Sequence, residues 1–249
     1  MANAHKADME LLTTNDSGIT RQLRRLLVIH TFEGLDLDAA SMAYYQQKRE
    51  AQGSYHMVID ADGATAREND DEYIPWSAGP TGNVIGYHFS LAGRAAMTRA
   101  EWLARPKQLA KLAQILADYS RAYGIPLIFR NADGVKAGNW GVCGHNEISL
   151  AFREVDHTDP GRNFPYDVVL AQANNLLRPS PEMKGTPMTQ PIKDLRKSLV
   201  SGSSWQGDEF DFILQIDRKV EELHADILPE IHRKLDAILK TAHPAGGAQ

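Results

Sequence analysis

Four side chains in this sequence have the chemistry of metal ligands. The stretch at residues 144–161, G-H-N-E-I-S-L-A-F-R-E-V-D-H-T-D-P-G, carries His145, His157 and Asp159, and Pro160 and Gly161 close a turn behind the carboxylate. A third imidazole, His30, lies far upstream, at the end of the apolar run Leu26-Leu27-Val28-Ile29. Zinc takes imidazole and carboxylate ligands, and a catalytic zinc is held by three of them with a fourth position left for water. We read His30, His145 and Asp159 as the ligands of one zinc ion per chain. The set His145, His157 and Asp159 is the alternative, but residues two apart rarely both face one metal. Each motif alone is weak: a histidine after an apolar strand is more often structural, and D-P-G is most often only a turn.

Four motifs in one order say more. I-H-T at 29–31, Y-H-M-V-I-D-A-D-G at 55–63, G-H-N-E-I at 144–148 and H-T-D-P-G at 157–161 resemble the zinc-dependent N-acetylmuramoyl-L-alanine amidases of the type-2 class. Those enzymes share their fold with the peptidoglycan-recognition proteins, and the resemblance runs across residues 24–178. It implies an α/β fold, a mixed central β-sheet flanked by helices. It also implies hydrolysis of the amide between N-acetylmuramic acid and L-alanine, with bacterial peptidoglycan as the partner. A zinc in such a site polarises a carbonyl and lowers the pKa of water to roughly 7, which suits attack on an unreactive amide. The oxyanion then formed needs a fixed donor about 3 Å away. His157, two residues before Asp159, stands where many relatives have lysine and others histidine. Tyr55 stands where the family places a tyrosine over the metal. Both are expected to be catalytic.

Two departures from the family pattern matter. Ile74-Pro75-Trp76-Ser77-Ala78-Gly79 matches W-H-A-G with Ser77 in place of the histidine, and Ile85-Gly86-Tyr87-His88 matches I-G-x-E with His88 in place of the glutamate. Ser77 and His88 are therefore candidate catalytic or substrate-contacting residues, His88 being either a replacement base or a core residue. Some relatives with this fold bind peptidoglycan without cleaving it, and those typically lack a zinc ligand. All three positions are filled here, which favours the enzyme.

Composition narrows the class. Apolar content of 43% and charge of 24% are those of a globular protein, and a net charge of −5 argues against a nucleic-acid partner held on a basic surface. The single Cys143 excludes an intrachain disulfide and reads as a buried small hydrophobe. No run approaches the roughly 20 apolar residues of a membrane span, and residues 1–20 lack the apolar core of a signal peptide. The expectation is synthesis in a bacterial cytoplasm and action on the wall after release, as a phage endolysin released through a membrane hole made by another protein.

The elements that must position the ligands follow. Residues 1–20 read as a loose arm ahead of a catalytic domain at 21–178. A strand at 24–30 ends at His30. Asp38 caps a helix running to about Ala51, whose polar end, 46–50, reads as a solvated face. Strands follow at 55–60 and 83–92. The alternation of the first makes His56 face away from the metal in a structural role. Thr98 and Glu101 form a capping box that opens one long helix, kinked at Pro106 and ended by Gly124. Residues 126–129 read as a strand, 131–139 as a loop and 140–145 as the strand that delivers His145. Residues 149–155 read as an insertion beside the metal, and a helix runs from Phe164 to about Leu177.

Beyond Leu177 the pattern changes. Prolines at 179, 181, 187 and 191 mark a linker at 179–204. An apolar stripe through Ile213, Ile216, Val220, Leu223 and Ile227 marks a small helical appendage at 205–241, with a tail at 242–249. Pro229 favours a folded-back helix pair there, which would dock on the domain or join a second copy in a homo-oligomer. His224, His232 and His243 fall in this appendage and in its tail, and read as surface residues.

Overall fold

The fold is seen in a computed structural model that describes residues 3–178. The expected linker, helical appendage and tail lie outside the described residues. The expected mixed sheet with flanking helices is what the chain forms. Six strands run in the order β1 (Met9–Glu10), β5 (Thr65–Arg67), β4 (Met57–Ile59), β7 (Gly86–Leu91), β3 (Leu26–Thr31) and β8 (Gly141–Gly144). Only the β4–β5 hairpin pairs antiparallel within this sheet. Its turn is the expected D-A-D-G: Asp60 accepts the amides of Asp62 and Ala64 at 3.0 and 2.9 Å. β2 (Asp16–Ile19) and β6 (Tyr73–Pro75) form a separate antiparallel pair.

β3, L-L-V-I-H-T, lies between β7 and β8 and is buried on both faces, which is why its first four residues read as an unbroken apolar run. Alternation sends Leu27 and Ile29 one way, into a core with Tyr87 and Phe89 of β7 and with Leu112, Leu116 and Tyr119 of α4 (Pro106–Tyr123). It sends Leu26 and Val28 the other way, against Cys143 of β8, Val135 of α5 (Ala132–Lys136) and Ile148 of α6 (His145–Phe152). Cys143 is buried, as expected of a small hydrophobe. α7 (Tyr166–Leu177) adds Val169 and Ala173 to the first core. Among the described residues no helix is long and apolar enough to cross a membrane.

Several local expectations need correction. The arm is not loose: β1 extends the sheet beside β5, β2 pairs with β6, and the Ala4 amide donates to Asp71 at 2.7 Å. Those edge backbone groups need partners, and the N-terminal residues supply them. The helix capped by Asp38 is α1 (Ala39–Gln46), followed by a short 3-10 turn at Arg49–Ala51. Gln46 is buried rather than solvated, because its carbonyl accepts from Thr13 and Asn15, both at 2.8 Å. Residues 83–85 belong to α2 (Gly79–Ile85), with Pro80 in its first turn, so the strand begins only at Gly86. The Thr98–Glu101 box caps α3 (Arg99–Leu103), and Pro106 opens the separate helix α4 instead of kinking one helix. Residues 126–129 make a single bridge, Phe129 to Val142, and not a strand. Residues 132–136 are helical, capped by Asn131.

Candidate metal centre

The three proposed ligands arrive from three places. His30 stands near the carboxyl end of β3, His145 opens α6 directly after β8, and Asp159 lies in the loop between α6 and α7. All are buried, and one donor atom from each lies within 4.8 Å of the others. β3, β7 and β8 run parallel, so the cluster sits at the carboxyl ends of parallel strands, where α/β sheets commonly place ligands. Local chemistry fixes each one. The Gly144 amide donates to Glu147 at 2.8 Å and starts α6 at His145. The Asp159 carboxylate accepts the Thr31 amide at 3.2 Å, and its carbonyl accepts the Asn146 amide at 3.0 Å. The turn behind it needs Gly161: φ is +90°, and a Cβ there would come within 1.9 Å of the Ala95 carbonyl oxygen.

The donor set fits zinc. His30 Nδ1 lies 3.2 Å from Asp159 Oδ2, and His145 Nδ1 lies 3.2 Å from Asp159 Oδ1. His30 Nδ1 is buried and has no hydrogen-bond partner, as a ligand nitrogen requires. Burial pushes the His30 pKa down to about 4, against the opposing pull of Asp159, so the ring is neutral at neutral pH. Burial would raise the Asp159 pKa, but the adjoining His145 and His30 rings hold the carboxyl well below the usual range. A neutral His30 and an ionised Asp159 are in the states a divalent zinc binds.

The other candidates occupy different shells. His157 is 59% exposed, its ring stacked on that of His145 with centroids 4.3 Å apart, and its Nδ1 is 3.7 Å from Asp159 Oδ1. Tyr55 is half-buried just before β4, its ring 5.0 Å from the His30 ring, and burial pushes its hydroxyl pKa up. Ser77 donates its hydroxyl to the Ser54 carbonyl at 2.6 Å and its amide to Asn83 at 2.8 Å. His88 is fully buried behind His30, with His30 Nε2 and its own Nδ1 3.0 Å apart. His56 faces Tyr87, their ring centroids 5.3 Å apart, and its Nδ1 accepts the His88 amide at 2.9 Å. A cavity of about 590 Å³ opens beside His157, lined among others by Asn146, Leu150, Arg153 and Val155. The sequence reading missed the contact between His30 and His88. The signal for it was the I-G-Y-H departure, whose partner is visible only once β3 and β7 are in register.

The sequence profile of the family described as N-acetylmuramoyl-L-alanine amidase matches residues 20–162. No curated protein sequence matches the chain. Among solved structures, the hydrolase AmiA of Staphylococcus aureus, in complex with its ligand, is 17% identical, with 68% of this chain and 85% of that one covered and a TM-score of 0.53. The amidase LysC of Clostridium intestinale is 17% identical, over 67% and 96% of the two chains, with a TM-score of 0.48. A mutant endolysin from Bacillus subtilis is 16% identical, over 68% and 99%, with a TM-score of 0.48. At 17% identity the likeness to AmiA is one of fold.

Proposed function

Because the chain belongs to the N-acetylmuramoyl-L-alanine amidase family, we propose that it hydrolyses the amide between N-acetylmuramic acid and L-alanine in peptidoglycan. One zinc ion would be held by His30, His145 and Asp159. The observation that carries this reading is the buried triad itself, with one donor from each residue within 4.8 Å of the others. When bound, zinc supplies Lewis acidity: it polarises the scissile carbonyl and makes water nucleophilic near neutral pH.

The chain's own side chains supply the rest. The raised pKa keeps the Tyr55 hydroxyl protonated, so beside His30 it is a donor for the oxygen that gains charge, not a base. His157 is open to solvent and held by stacking on His145, and we assign it proton transfer to the leaving amine and help to the oxyanion. Thr31 holds the Asp159 carboxylate in place through its backbone amide. The cavity beside His157 mixes polar and apolar walls, which suits a stem peptide.

The test is digestion of purified cell walls by the full chain, with and without a chelator. Release of stem peptides with free L-alanine amino groups, lost on chelation and restored by zinc, is the expected result. Binding to walls without release of new amines would favour a non-catalytic peptidoglycan-binding protein. For biological use we propose lysis of a bacterial host by a phage, supported by a fold that holds without a disulfide. Cells making the protein should then lyse only when their membrane is permeabilised.

A further inference from the structure

We infer that His88 is a positioning residue that dictates which ring nitrogen of His30 is free to bind a metal. The inference rests on the reading of His30, His145 and Asp159 as metal ligands. His30 is in register with Ser90 on β7, and His88 stands two residues earlier, on the same face. It is thus a diagonal neighbour of His30, within reach of a long side chain.

The hydrogen bonds then run in one direction. His88 Nε2 lies 3.1 Å from the Gly82 carbonyl oxygen, and a carbonyl can only accept, so Nε2 carries the hydrogen. With no exposed surface the ring is neutral, which leaves a lone pair on Nδ1. That lone pair, 3.0 Å from His30 Nε2, accepts the His30 Nε2 hydrogen. His30 Nδ1 is left with its lone pair aimed toward Asp159 Oδ2 at 3.2 Å. A lone pair set against a carboxylate is unfavourable alone and is reconciled by a cation. In the opposite tautomer His30 Nδ1–H would donate to Asp159, satisfying the carboxylate and removing the ligand nitrogen.

The relay is held at its far end as well. Gly82 lies in α2 under close packing, where a Cβ would come within 2.8 Å of Ala78 Cβ and of Ile148 Cγ2. The His88 ring stacks on His56 with centroids 5.9 Å apart and an interplanar angle of 6°. Both nitrogens of His88 are committed and neither reaches solvent, which is the geometry of an orienting partner and not of a base that takes a proton from water. Such partners raise ligand basicity and fix ring orientation.

The test uses the full chain. In the metal-free parent, nitrogen-15 NMR of the His30 ring should show Nε2 protonated and Nδ1 bare. In His88→Phe the two tautomers should mix, and zinc affinity measured by chelator competition should fall roughly 10–100-fold. In His88→Gln, whose amide can accept from His30 and donate to Gly82, both readouts should stay close to the parent. A proton on His30 Nδ1 in the metal-free parent would overturn the inference, as would a folded His88→Phe that binds zinc as tightly as the parent. Should His88→Phe fail to fold, the parent tautomer and His88→Gln still decide. A parent that binds no zinc would overturn the metal reading instead, while the tautomer measurement still tests the relay.

Discussion

Alternate residues of β3 serve two faces that ask for opposite things. Leu27 and Ile29 face an apolar core with Phe89, Leu116 and Tyr119, where only volume and shape count. On the other face Val28 packs on Cys143, and one step further along His30 meets His88, His145 and Asp159. There, the polar atoms of His30 are tolerated because Nε2 has His88 as its partner and Nδ1 awaits a cation. Along β3, the pleat divides stability from chemistry. It follows that substitutions on the two faces should separate cleanly: one set should cost folding, the other metal and turnover.

The largest effect expected on the polar face comes from Asp159→Ala. It should lose most of the zinc and bring amide cleavage to background while the protein still melts cooperatively. A chelator should lower the melting temperature of the parent, since zinc binds only the native state, and leave that of Asp159→Ala where it was. Full zinc retention in both Asp159→Ala and His30→Ala would break the ligand assignment. On the apolar face, Phe89→Ala removes a ring with no exposed surface that packs on Tyr119 with centroids 4.8 Å apart. It should cost about 3–5 kcal/mol of stability. Measured by denaturant unfolding, it should leave the zinc affinity of the folded fraction unchanged.

How much of this was legible in the sequence depends on how local each feature is. β3 was, because burial on both faces writes an apolar run into consecutive residues. The meeting of His30, His145 and Asp159 was, because they stand in the order of a known family. β1 and β2, of 2 and 4 residues, were not: such segments are too short for periodicity, and what makes them strands is the edge they cover. Residues 83–85 looked like the start of a strand because they adjoin one, yet they end a helix whose first turn, with Pro80 in it, lay upstream. The part played by His88 was illegible for a different reason. Its partner is 58 residues away and is met only through the register of two parallel strands.

A smaller effect sharpens the polar side of the comparison. His157→Ala should keep the zinc and the fold and lower turnover about 10²-fold, the lower end for loss of general acid–base help. Tyr55→Phe should act in the same direction, through loss of a donor rather than of an acid. Both are read by comparing kcat with zinc content in the same preparations. If both variants digest walls at the parent rate, neither side chain has the role assigned to it.

The smallest effect is the sharpest control. Thr98 accepts the Glu101 amide at 3.3 Å and Glu101 accepts the Thr98 amide at 2.7 Å, so Thr98→Ala removes half of the box that starts α3. Loss of such a cap in a chain of this size should lower the melting temperature by about 2–4 °C. α3 carries Trp102, fully buried, whose ring lies 5.0 Å from that of Phe164. The Phe164 amide in turn donates to the Gly161 carbonyl at 3.1 Å, in the turn that follows Asp159. A physical path therefore does run from the apolar face to Asp159. If the division by the pleat holds, Thr98→Ala shifts the melt and leaves zinc affinity and turnover at parent values, because Thr31 and Asn146 hold Asp159 from the other side. A matching loss of zinc affinity would show that α3 and Phe164 set the position of Asp159. The two faces would then be coupled through that turn.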